Sequence, residues 1–104
     1  MRPGGGQPNM KQIMKLQRQL AEAQAALAET EVTGTAGGGL VTVTMTAAGE
    51  FRAVKIDPKA VDPDDVETLE DLVLAVVHNA SQAAQEASEA KMGPLSAGLG
   101  LPGF

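Results

Sequence analysis

Residues 32–57, "VTGTAGGGLVTVTMTAAGEFRAVKID", decide the fold of this chain. Val41, Val43 and Met45 alternate with Thr42, Thr44 and Thr46, a period of two that is rich in β-branched residues. This is the pattern of a strand with one buried face. Ala48-Gly49-Glu50 reads as a turn, and residues 51–57 read as a second strand. That strand carries Val54 and Ile56 on one face and Phe51, Ala53 and Lys55 on the other. Residues 32–36 form a short strand before it, joined through the flexible triple glycine 37–39. The three strands predict an antiparallel meander.

Working outward, a helix lies on either side. Asn9 is placed to cap a helix running to about residue 30. Ile13, Leu16, Leu20, Ala23 and Leu27 follow a 3-4-3-4 spacing, a narrow seam of coiled-coil type rather than a broad core face. A helix of this length spans roughly 30 Å, and its outer half has no local chain to pack against. An arm that pairs with another helix is expected. After the meander, "VDPDDVETLEDLVLAVVHNASQAAQEASEAKMGP" predicts a second helix, with Asp62 as N-cap, Pro63 in the first helical position, and Gly93-Pro94 as its stop. Val66, Leu69, Leu72, Val73, Val76, Val77, Ala80, Ala83, Ala84 and Ala87 share one face. The order is α-β-β-β-α, an α+β fold. The expected organisation is a flexible segment 1–8, one domain over 9–93, and a Gly/Pro-rich tail 94–104.

Composition narrows the function. The chain has 104 residues, no Trp or Tyr, and two Phe. Its core must be built from small aliphatics and Ala, so a lone monomer is marginal and association is expected to complete it. With no Cys there is no disulfide or thiolate site, and the single His78 cannot make a histidine metal cluster. No cofactor is expected. The N-terminus "MRPGGGQPN" lacks an apolar signal region, and no apolar run approaches the roughly 18 residues of a membrane span. A cytoplasmic protein without membrane association is expected.

The charges are the informative feature. Net charge is −5, yet "NMKQIMKLQRQL", residues 9–20, contains three bases and no acid. A helix N-terminus is partially positive and favours acids, each well-placed charge contributing roughly 0.3–1 kcal/mol. The second helix obeys this, with Asp62, Asp64, Asp65, Glu67, Glu70 and Asp71 at its start and Lys91 near its end. The first does not: Lys11, Lys15 and Arg18 come early, Glu29 and Glu31 late. At about 100° per residue the three bases form one stripe opposite the apolar seam. Such a stripe beside helix N–H groups suits a polyanion such as a nucleic-acid backbone.

Other features carry no chemistry. The triple glycine leads into a strand, not from a strand into a helix as a phosphate loop does. The acids of residues 62–71 lack calcium-loop spacing and are explained by helix capping. His78 falls on a polar helix face near Asp71 and Gln82, with no nucleophile–base pair visible. Met10 and Met14 flank the seam and read as adaptable packing. No enzyme is expected.

The ordered set "NMKQIMKLQRQL", "VTGTAGGGLVTVTM", "VKIDP", "LEDLVLAVVHNA" and "KMGPLSAGLGLPG" resembles the YbaB/EbfC family of bacterial nucleoid-associated proteins across nearly all of residues 9–103. The resemblance implies a tweezer-like homodimer, with sheets and second helices as the body and first helices as arms. It implies binding to double-stranded DNA with limited sequence preference, in the nucleoid. Family DNA contacts map by position onto Lys11, Lys15 and Arg18, with Lys91 a weaker candidate. The chain departs from the family in "LAEAQAALAETE", which is Ala-rich and acidic, so its basic footprint is shorter. Dimer and core positions expected are Ile13, Leu16, Leu20, Leu27, Val41, Val43, Val54, Ile56, Leu69, Leu72, Val73 and Val76. A second reading is an accessory factor whose arms, or apolar tail of Leu99, Leu101 and Phe104, grip a recombination or replication protein.

Overall fold

The computed structural model describes residues 10–99, with side chains through residue 93. The chain runs as helix α1 (Met10–Glu29), strands β1 (Glu31–Ala36), β2 (Val41–Thr46) and β3 (Phe51–Ile56), and helix α2 (Val66–Leu99). The strands form one antiparallel sheet in the order β1-β2-β3. The expected α-β-β-β-α order and meander are therefore present. Asn9, read as the first N-cap, lies outside the described residues.

The alternating pattern of β2 becomes a two-faced strand. Val41, Val43 and Met45 are buried, while Thr42 and Thr44 face the other way and are half-buried. Val76, Ala80 and Ala84 of α2 pack on that inner face together with Ala36 of β1. Burying each Val contributes roughly 1.5–3 kcal/mol. Small residues allow the layers to approach closely. Asn79 ties them at one edge, its amide donating to the Thr35 carbonyl at 2.9 Å. The triple glycine is an ordered 3-10 turn rather than a loose link, with positive φ at Gly37, Gly38 and Gly39.

Several expectations need correction. First, α2 does not begin at Asp62. The Asp62 carboxylate accepts from Asp64 N at 2.9 Å and its carbonyl from Asp65 N at 2.9 Å, closing a separate turn. Pro63 suits the second position of such a turn. Asp65 caps the helix instead, accepting from Thr68 N at 3.3 Å and from the Thr68 hydroxyl at 2.6 Å. Second, Gly93-Pro94 does not end α2, which continues to Leu99. A proline inside a helix costs about 3 kcal/mol, so this continuation runs against local propensity.

Third, α1 contacts α2, so it has a neighbour within its own chain. Ile13, Leu16, Leu20 and Ala23 are half-buried and Leu27 is buried. Val54 and Ile56, expected as dimer or core positions, pair with Val43 and Val41 and so point to the inner face, where the single chain does not bury them. They are 60% and 39% exposed. The reason is lateral: α2 packs on β1 and β2 and leaves β3 uncovered. Val73, on the flank of α2, is also exposed. Leu69 and Leu72 are half-buried against the core, and Val41, Val43 and Val76 are its centre.

A bulge reshapes β3. Thr44 pairs with Ala53 but Met45 pairs with Phe51, which leaves Arg52 as the extra residue. The bulge turns Phe51 onto the Met45 side of the sheet, the reverse of the simple alternation expected for residues 51–57. Phe51 then lines a groove of about 380 Å³ with Met45, Ala84 and Ser88.

Candidate nucleic-acid interface

The geometry of the arm follows from two contacts. Gly34 lies against Ala80 and Gly37 against Leu72, so β1 and α2 run antiparallel. The start of β1 therefore lies toward the C-terminal half of α2. Because α1 leads into that start, it projects from the sheet alongside the distal half of α2. Principal extents of 76 × 23 × 16 Å reflect this elongation. The acid-rich turn of residues 62–65 and the first turns of α2 lie toward the opposite end.

Lys11, Lys15 and Arg18 are all exposed on α1. The structure brings them together on one stripe about 10 Å long, on the side away from the half-buried seam. The first turn of α1 contains no acid and its last turn no base. Among the described residues the one ion pair joins Arg52 and Glu50, at 2.9 Å, so the three arm bases have no acidic partner. Arg18 does not pair with Glu22. Their charge is thus available to a ligand, at some cost to the helix that carries them. Lys91 is exposed on distal α2. Among the bases of the body, Arg52 pairs with Glu50, while Lys55 and Lys59 are exposed and make no ion pair among the described residues.

The sequence reading missed two aspects of this surface. Met10 and Met14, read as packing, are 68% and 57% exposed. Their signal was in the spacing, since Met14 lies three residues after Lys11 and four before Arg18, beside the basic stripe rather than on the seam. The second is the apolar face left open beside the core. Val54 and Ile56 of β3 and Val66, Val73 and Leu74 of α2 are exposed, and Val73 and Leu74 line one apolar groove with Leu69 and Val77. Its signal was the bulge and the sideways placement of α2, neither of which periodicity reveals.

Among the described residues no three His, Asp or Glu side chains are grouped to hold a metal ion. No helix among them is long and apolar enough to cross a membrane.

Comparison with known proteins agrees with this architecture. A solved structure of an uncharacterized protein from Helicobacter pylori superimposes with a TM-score of 0.72, covering 86% of this chain and 98% of that one. At 17% identity that likeness concerns the fold alone. A nucleoid-associated protein of Saccharopolyspora erythraea is 56% identical, with all of both chains covered. One of Streptomyces griseus is 59% identical, covering all of this chain and 98% of the relative. The model of the YbaB/EbfC DNA-binding family, which is not a family of enzymes, matches residues 3–99. With the match running from before the basic arm to the last residue of α2, the chain belongs to the YbaB/EbfC DNA-binding family.

Proposed function

We propose that this protein binds double-stranded DNA as a homodimer in the nucleoid, within the cytoplasm, through Lys11, Lys15 and Arg18 at the ends of its arms, and so affects nucleoid organisation and gene expression. Lys91 adds a weaker contact. The observation that carries this reading is the unpaired basic stripe on a projecting helix of a protein with net charge −5. The charge is placed against the helix dipole, so helix stability does not account for it. Acids at the opposite end keep DNA from the body and direct it to the arms. The open apolar face of β3 and α2 supports the homodimer, because a second copy would bury Val54, Ile56, Val73 and Leu74. An accessory role toward recombination or replication proteins would draw on the tail, of which residues 100–104 lie outside the described residues. The arm charge favours DNA.

A dimer presents six arm bases. If all engage phosphates, the slope of log affinity against log salt is roughly −5. Contacts of this kind position the protein and specify little sequence. The test is a salt titration of duplex binding by the wild type and by the Lys11→Ala/Lys15→Ala/Arg18→Ala variant. The variant should bind more weakly with a flatter slope and keep its helix content, since Ala is a good helix former. Equal affinity and equal slope in the two proteins would refute the assignment.

A further inference from the structure

Three groups of exposed features remain outside the backbone contacts: the methionines of the arm, the groove beside Phe51, and the threonine face of the sheet. The methionines carry an inference furthest. Met10 and Met14 are the large apolar side chains exposed on the described part of α1, at 68% and 57%. They do not belong to the seam, whose residues are buried or half-buried. They stand one turn apart on the same side of the helix, and Met14 borders the basic stripe at a height between Lys11 and Arg18. An apolar pair flanking a row of bases matches the two parts of a DNA groove, an anionic rim and base edges that include apolar groups.

We infer that Met10 and Met14 are base-contacting residues that pack against thymine 5-methyl groups in the major groove while the adjacent bases hold the phosphates. This rests on the arm being the DNA-binding element. A helix with its side chains is about 10–12 Å across, which fits the major groove at about 12 Å and not the minor groove at about 6 Å. In the major groove the thymine methyl is the apolar group on offer. The unbranched, polarizable thioether adapts to irregular surfaces, so the contact tolerates variation in where thymines fall. The inference adds a mild composition preference, for thymine-bearing major grooves, to a binding mode otherwise set by phosphates.

The test uses the full-length protein and two duplexes of one sequence, one with thymine and one with deoxyuridine throughout, which lacks only the methyl groups. Wild type should bind the uracil duplex more weakly, by up to about fourfold for each methyl it buries. Met10→Gln/Met14→Gln should bind both duplexes alike and keep the wild-type salt slope. Met10→Leu/Met14→Leu should restore the preference. Equal wild-type affinity for the two duplexes, with a steep salt slope intact, would overturn this inference alone and leave the phosphate assignment standing. A flat wild-type slope, or a slope the triple-Ala variant retains, would overturn both. A change of oligomeric state in the Gln variant would also overturn it, assigning the methionines to a contact between copies.

Discussion

Gly34 of β1 lies directly against the backbone of Ala80 in α2: a Cβ placed on Gly34 would stand 2.6 Å from the Ala80 Cα. No rotamer change relieves such a contact, because the obstacle is main chain. The distance between helix and sheet, and with it the closeness of the whole Val41–Val43–Val76 core, is set at this point.

Gly34→Ala should therefore destabilise the protein by about 1–3 kcal/mol, or more where α2 must lift from the sheet. Ala itself suits a strand better than Gly, so propensity acts in the opposite direction. Thermal unfolding checks this. An unchanged or raised melting temperature would show that α2 is not held so closely.

Charge placed on the two sides of α2 should separate folding from association. Val76 is fully buried, whereas Leu74 is 71% exposed. Val76→Asp buries an unpaired carboxylate and should unfold the chain. Leu74→Asp should leave the chain folded and weaken the homodimer. Sedimentation and circular dichroism distinguish the outcomes. A folded dimer with Asp at position 74 would place the interface elsewhere, and a stable wild-type monomer of 10.6 kDa would remove it.

Removing the observed cap should matter more to α2 than removing the expected one. Asp65→Ala deletes two hydrogen bonds to Thr68 and should cost about 1 kcal/mol, read as a lower midpoint in urea. Asp62→Ala deletes a bond within the preceding turn and should leave α2 itself intact.

Arm and body bases should differ in their effect on DNA. Lys15→Ala removes two of the six arm charges of a dimer and should make the salt slope shallower by roughly 2. Lys59→Ala, on the body beside Asp57, should leave slope and affinity unchanged. Equal effects from the two substitutions, in a duplex-binding titration, would show that DNA contacts the body as well as the arms.

Much of this architecture was legible before the structure. The Val/Thr alternation of residues 41–46 specifies a two-faced strand because its period is that of a pleat. The 3-4-3-4 seam of α1 specifies which side is packed, and so places Lys11, Lys15 and Arg18 on the other. Both are local consequences of one chain's periodicity and need no knowledge of neighbours.

Two features required the neighbours, and a third was a local choice that periodicity does not decide. The capping of α2 passed from Asp62 to Asp65 because residues 62–65 close a turn of their own, a choice between two acceptable local hydrogen-bond sets. The helix passed through Gly93-Pro94 to Leu99, against local propensity, alongside α1. Val54 and Ile56 kept the face that alternation assigns them and yet stayed exposed, because α2 lies over β1 and β2. The sequence by itself determined the elements, their order and the sidedness of the arm, since each follows from short-range spacing. Tertiary structure alone decided which inward-facing side chains are covered, since that depends on where a helix set close by Gly34 and Ala80 comes to rest across the sheet.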